Sequence, residues 1–298
     1  MLQQLQQKYA NTTGISFSQS DSGLTFIHVA NDQAQAKVCV HGGHVCEFQP
    51  IGEKPVIWMS EDVVYKEGKA IRGGVPVCWP WFGPHSTDTS LPQHGFARNQ
   101  HWTIAHIENR ANGQTLVELI LTETDSSLAI WPHAFELKIS IVVGIELEMN
   151  LTSTNTGDSP MVVGGALHTY FVVGDIAETE ITGLDQTVFD DKVSSEDQII
   201  QKGGVLIDQE VDRVYLDTDT TCVIHDGQND RNIEVSKSGS HTTVVWNPWI
   251  EKSQELGDFN DNGYLTMVCI EAVNAGNDVY ELQPKQSCSL IQRIKIGN

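Results

Sequence analysis

Two side chains stand out because of the strand-like sequence around them. His168, in GGALHTYFVV, shares the alternation of Ala166 and Tyr170, so it faces one side of a sheet beside an aromatic ring. Glu271, in LTMVCIEAVN, follows five mostly apolar residues and shares a face with Met267 and Cys269. A carboxylate directed into such a surface loses hydration unless it has a partner or a task. Burial raises its pKa from about 4.3 toward neutrality, which suits a general base. An imidazole, with a reference pKa near 6.5, suits the matching acid. In purely structural terms the histidine is a hydrogen-bonded core residue and the glutamate a buried salt-bridge partner, and residue type does not choose between these readings.

The most unusual stretch, IRGGVPVCWPWFGPHSTDTSLPQHGFARNQHW (Ile71–Trp102), is too rich in glycine, proline and tryptophan for a regular core strand. It predicts a long structured loop with a task of its own. Trp79, Trp81, Phe82 and Trp102 offer flat apolar surface, while Arg72, Gln93, His94 and Arg98 offer polar groups. Aromatic faces beside hydrogen-bonding side chains suit a sugar ring. The alternative is that the tryptophans fill a core and the arginines pair with acids. A guanidinium can grip phosphate oxygens in a bidentate fork, and the glycines after Arg72 would let backbone approach a ligand closely.

His41 and His44 (HGGH), and His94 with His101, raise the question of metal binding. Two glycines between histidines look more like a strand turn, and the chain has no HExxH, no HxH followed by Glu and no CxxC. A structural role is expected for His41 and His44, with no metal site. Gly73–Gly74 lacks the strand–glycine–helix setting of a phosphate or dinucleotide loop, so no nucleotide cofactor is expected.

These groups need rigid elements to hold them, and the clearest lies at 135–151. Every odd residue there, from Phe135 to Leu151, is apolar, and most even ones are polar. A period of two is the mark of a half-buried strand, but the run is too long for one. Gly144 suggests a turn, and because parity is preserved across it, a three-residue turn or a bulge is expected. Similar runs recur at Gly23–Val29, Ala36–Cys46, Thr115–Thr122, Met161–Val173, Gly204–Asp208, Thr221–His225, Thr242–Trp246, Leu265–Ala272 and Ser287–Ile296. Helical candidates are limited to Leu2–Tyr9 and a turn near Ser253–Leu256. Many short strands joined by turns predict an all-β antiparallel sandwich or barrel. With no linker or repeat, one domain over 1–298 is expected.

The 298 residues carry 18 Lys+Arg against 39 Asp+Glu, a formal charge of −21. That balance excludes a nucleic-acid binder built on a broad basic face, and likewise a basic membrane-surface protein. No apolar run approaches the roughly 18 to 20 residues that cross a bilayer. The start, MLQQLQQKYANTTG, lacks the cationic and apolar regions of a secretory leader. Six dispersed cysteines read as reduced core thiols. A cytoplasmic monomer is the resulting expectation.

In order along the chain, IRGGVPVCWPWFGPH, QHGFARNQHW, WPHAFEL (Trp131–Leu137), ALHTYF, ITGL (Ile181–Leu184), DRVY (Asp212–Tyr215), VVWNPW and CIEAVN resemble the aldose 1-epimerase (mutarotase) superfamily, specifically its hexose-6-phosphate branch. The resemblance covers nearly the whole chain, Gly23 to Ile296. It implies a galactose-mutarotase-like β-supersandwich that interconverts the anomers of a small-molecule hexose phosphate such as glucose 6-phosphate, without a cofactor. His168 and Glu271 match the family's catalytic positions. Arg72, Gln93, His94, Arg98 and Asp212 match its substrate-contacting ones, with the arginine pair pointing to the phosphate branch. Asp212 follows a stretch with few landmarks and also reads as a surface acid pairing Arg213. In the implied chemistry Glu271 takes the proton of the C1 hydroxyl while protonated His168 donates to the ring oxygen. The aldehyde then rotates about C1–C2 and recloses. Rival readings are a non-catalytic sugar-phosphate-binding module and a β-sandwich lyase or isomerase acting on acidic sugars. The binding module needs neither His168 nor Glu271 for chemistry.

Overall fold

The alternating run at 135–151 folds as the core of a hairpin. Phe135–Val143 and Glu146–Asn155 pair from Phe135↔Asn155 to Val143↔Leu147. Gly144, Ile145 and Glu146 are left as a three-residue turn, closed by Gly144 N–H donating to Glu146 O at 3.1 Å. An odd-length turn preserves parity, so Leu137, Ile139 and Ile141 stay on the same buried face as Leu147, Met149 and Leu151.

The computed structural model describes residues 2–297. The hairpin belongs to a nine-stranded antiparallel sheet that runs from Val205–Leu206 at one edge, through Arg231–Ser238 and Ser287–Gly297, to Thr103–Asn109 at the other. An eight-stranded sheet faces it. Its order runs from Glu196–Ile200 through Val188–Asp191, Val211–Tyr215, Thr242–Asn247, Met267–Asn274 and Gly165–Leu167 to Val77–Cys78. Tyr170–Val172 pairs with Met267–Asn274 as well. The first four strands, Ile15–Gln19 to His44–Pro50, form a smaller meander. The main core lies between the two large sheets, where Ile139, Met149 and Ile294 share one apolar cluster with Val245, Val268 and Ile270.

Several predicted runs are subdivided. Ala36–Cys46 is two strands, Ala34–Cys39 and His44–Pro50, turning at the HGGH glycines with Cys39 opposite His44. Met161–Val173 is three short strands, Met161–Val163, Gly165–Leu167 and Tyr170–Val172; the first pairs with Tyr280–Leu282 in a separate ribbon. The run expected at Leu265–Ala272 begins later than predicted, because Gly263–Thr266 is a 3-10 turn and Met267–Asn274 is the strand. The turn expected at Ser253–Leu256 is the end of the helix Trp249–Glu255. The short helix Asp125–Ile130, started by a Thr124–Ser127 capping box, has too little apolar periodicity to be read from sequence.

Candidate active site

Met267–Asn274 is buried at every residue because it is covered on both faces. Val268, Ile270 and Ala272 enter the main core, whereas Met267, Cys269, Glu271 and Val273 face the other way. Glu271 is thereby placed on the floor of a cleft, 1% exposed. The neighbouring pairs Leu167↔Ala272 and Tyr170↔Cys269 share one register, so His168 and Thr169 fall opposite Glu271 and Ile270 in a two-residue gap between the strands. His168 N–H donates to Pro76 O at 3.1 Å, extending the register with Val77–Cys78 by one residue. Its ring stacks on Tyr170, with centroids 4.9 Å apart and 8° between planes, and presents its edge to Trp246 and His94. Nδ1 of His168 ends 3.4 Å from Oε1 of Glu271.

The segment Ile71–Trp102 contributes Arg72, Gln93, His94 and Arg98 to the cleft. His94 sits at φ 64°, a left-handed conformation unusual for a non-glycine residue, beside Gly95 at φ 71°. Gly95 lies so close to Trp79 that an added Cβ would stand 2.0 Å from Trp79 O. His94 Nδ1 accepts from Gly83 N–H at 3.2 Å, which leaves the proton of the neutral ring on Nε2. Arg98, on the 3-10 turn Ala97–Asn99, donates from Nη2 to Gln93 O at 2.9 Å. Arg72 donates from Nε to Asp258 at 2.9 Å and from Nη1 to the Tyr170 hydroxyl at 3.3 Å.

All seven predicted site residues, Arg72, Gln93, His94, Arg98, His168, Asp212 and Glu271, line one cleft of about 960 Å³. Two expectations need correction. Trp79 and Trp102 are core residues, 1% and 0% exposed, and the aromatic walls of the cleft are Phe82, Tyr170 and Trp246. Gly73 and Gly74 give close approach to protein rather than to ligand. A Cβ on Gly73 would lie 2.7 Å from Met59 Cα and Trp58 O, and one on Gly74 would lie 2.1 Å from His44 Nε2. Sequence reasoning also missed Lys192 and Lys252, which line the cleft, and Asp258, which fixes Arg72. Nothing in a single sequence links Asp258 to an arginine 186 positions away.

The electrostatics follow from burial. Desolvation first, then the nearby Asp212 carboxylate, push Glu271 well above its usual range, against the pull of Arg98. Desolvation first, then His94, Arg98 and Arg72, hold His168 well below its own. His94 is lowered to about 3 by burial and the same two arginines. Asp212 is raised to about 6 by burial and by Glu210. Burial thus favours the uncharged form of each member of the central pair. His168 Nδ1 and Glu271 Oε2 are buried without a hydrogen-bond partner in the protein.

Among the described residues, one group of three metal-type ligands converges: His168, Cys269 and Glu271, within 4.8 Å of one another. Burial pushes the Cys269 thiol well above its ordinary range, so it stays protonated and packs with Met267 and Tyr170 as a small apolar group. His41 bonds to Lys69 O at 2.9 Å, and His44, lowered to about 3 by burial, packs beneath Gly74. Neither belongs to that group.

Comparison with known proteins agrees with this architecture. The aldose 1-epimerase family profile matches residues 25–295. An Escherichia coli protein named as a glucose-6-phosphate 1-epimerase is 36% identical over 92% of this chain and 91% of its own. One of the same name from Cenchrus ciliaris is 35% identical over 79% and 74%. The crystal structure of a Salmonella typhimurium protein titled a mutarotase superposes with a TM-score of 0.90 at 33% identity, covering 99% of each chain. A galactose mutarotase related enzyme from Lactobacillus acidophilus, only 14% identical, shares the fold at a TM-score of 0.70 over 92% and 97%. The two facing antiparallel sheets are thus the galactose-mutarotase-like supersandwich, and the chain belongs to the aldose 1-epimerase family.

Proposed function

We propose that this protein interconverts the α and β anomers of a hexose 6-phosphate, with glucose 6-phosphate, for which its relatives are named, as the substrate. The observation that carries the reading is the buried imidazole and carboxylate, 3.4 Å apart, on the floor of a cleft that also presents two guanidinium groups. In the uncharged form that burial favours, the transferable proton sits on Glu271. Transfer from Glu271 to His168 makes a carboxylate base and an imidazolium acid without changing the proton count. Substrate hydroxyls that hydrogen-bond the unpartnered Oε2 favour this charged form.

Glu271 then takes the proton from O1 as His168 gives its own to the ring oxygen. The C1–O5 bond breaks, its electrons go to O5, and C1 becomes an aldehyde. The pair is back in the uncharged state that burial favours, so the dry floor of the cleft stabilises the stage at which the sugar is open. Rotation about C1–C2 and the same transfers in reverse close the ring on the other face. His94, through Nε2–H, Gln93 and Asp212 hold ring hydroxyls, which fixes which oxygen meets which proton. Arg72 and Arg98 anchor the phosphate.

The six unpaired cysteines suit a reducing cytoplasm, and no helix among the described residues is long and apolar enough to cross a membrane. Exchange NMR of glucose 6-phosphate and of free glucose, with and without protein, tests the proposal. Accelerated exchange that favours the phosphate ester is expected; exchange at the buffer rate for every hexose phosphate tried would leave a binding module.

A further inference from the structure

Gln292 is a polar residue on an apolar face. It lies in Ser287–Gly297 of the nine-stranded sheet, between the inward-facing Leu290 and Ile294, and is 1% exposed in the space between the sheets. An amide there loses hydration and must find partners. It finds them on the opposite sheet. Thr169 Oγ1 donates to Gln292 Oε1 at 2.5 Å, and Gln292 Nε2 donates to Ile270 O at 3.0 Å. Thr169 follows His168 and Ile270 precedes Glu271, so one amide holds the Thr169 hydroxyl and the Ile270 carbonyl, each one residue from a member of the central pair.

The grip falls where the ladder is weakest. Between Leu167↔Ala272 and Tyr170↔Cys269 the strands lie in register but are not joined as a regular ladder. Ile270 N–H donates to Thr169 O at a long 3.3 Å, while Ile270 O is taken up by Gln292. On its other side the chain stays paired through the gap, with His168 N–H donating to Pro76 O and Tyr170 N–H to Gly74 O, so the irregularity is confined to the side that faces Ile270 and Glu271. A gap in a central strand pair would otherwise let the two strands breathe apart at the point where the His168–Glu271 distance is set.

We infer that Gln292 is a positioning residue for proton transfer: from the far sheet it spans the break beside His168 and Glu271 and holds their separation. The inference rests on the catalytic reading of that pair. Gln292→Met keeps the volume and removes both bonds, and Thr169→Val removes the 2.5 Å bond alone. Exchange NMR at graded glucose 6-phosphate concentrations separates kcat from KM, and thermal unfolding is followed in parallel. Because misplacement of about an ångström costs roughly 10²-fold, kcat should fall about 10- to 100-fold in Gln292→Met, with KM within about threefold. Thr169→Val should show a smaller loss in kcat alone, and the double variant should be no slower than Gln292→Met. Thr169→Val and its kcat carry the test if Gln292→Met does not fold. A lowered Tm with kcat within about twofold of wild type in the folded variants makes Gln292 purely structural and overturns the inference, as does additive loss in the double variant. His168→Asn and Glu271→Gln run in the same assay: activity retained there defeats the catalytic assignment itself, whatever Gln292 does.

Discussion

His168 Nδ1 and Glu271 Oε1 stand 3.4 Å apart although burial disfavours the charged form of each. The strand register sets this distance, by placing residue 168 opposite residue 271 across a break in the ladder. The pair is therefore prearranged for moving a proton. Glu271→Gln and His168→Asn should each lower kcat by about 10² to 10⁴, the usual contribution of one positioned acid or base, while a titration followed by tryptophan fluorescence shows glucose 6-phosphate still binding. Loss of binding without loss of single-turnover rate would contradict the assignment.

Arg72 keeps its geometry through Asp258, with Lys69 at 3.4 Å on the same carboxylate. Burial alone would raise the Asp258 carboxyl, but Arg72 and Lys69 hold it below the ordinary range, so it remains charged. Arg72→Lys retains the charge but loses the fork. If charge-assisted hydrogen bonds to phosphate are worth about 1.5 to 3 kcal/mol, KM for glucose 6-phosphate should rise about 10- to 100-fold. Free glucose should be handled as before. Equal effects on both sugars would remove Arg72 from the phosphate site.

Asp212 gives a pH signature. Its folded pKa is raised from 3.8 to about 6, so its contribution to stability is complete below the unfolded value and is lost as pH rises through about 6. Asp212→Asn should thus gain about 1 to 3 kcal/mol over wild type at pH 7.5 and nothing near pH 3.5. In the wild type, KM should climb as pH falls below about 6 and the carboxylate stops accepting from a ring hydroxyl. Melting curves for the two proteins that track each other at all pH values would count against this account.

Gly74 has φ 67° and no room for a side chain. A Cβ would meet both His44 Nε2 and the Val45 carbonyl, at 2.1 and 2.5 Å. Gly74→Ala should destabilise by more than the roughly 1 kcal/mol of left-handed strain alone, and it should disturb the backbone that receives Tyr170 N–H at Gly74 O. Chemical denaturation measures the loss, and an unchanged midpoint would refute it.

Periodicity made the sheets legible because a half-buried strand writes its geometry into every second residue, as in Thr115–Thr122, whose bounds match the expected run. The break at His168–Thr169 left no such mark: the alternation continues through it, and only the interruption between the pairs Leu167↔Ala272 and Tyr170↔Cys269 reveals it. The seven candidate side chains could be named from the resemblance and from their odd settings. What each tryptophan does could not, since Trp79 and Phe82 look alike in sequence but one is sealed in the core and the other lines the cleft. Gln292 did carry a readable sign, an amide at the inward parity of an apolar strand, but its partners lie more than twenty residues away for Ile270 and more than a hundred for Thr169.

The size of the cleft, about 960 Å³, bears on how the opened sugar behaves. A tight mould around the closed pyranose would oblige the linear form to leave before it could present its second face. Here there is space for the carbonyl end to pivot if, as proposed, the phosphate end is tethered at the guanidinium groups. Reclosure can then occur to either hand within a single residence, and the reactive carbonyl spends little time loose in a cell full of amines.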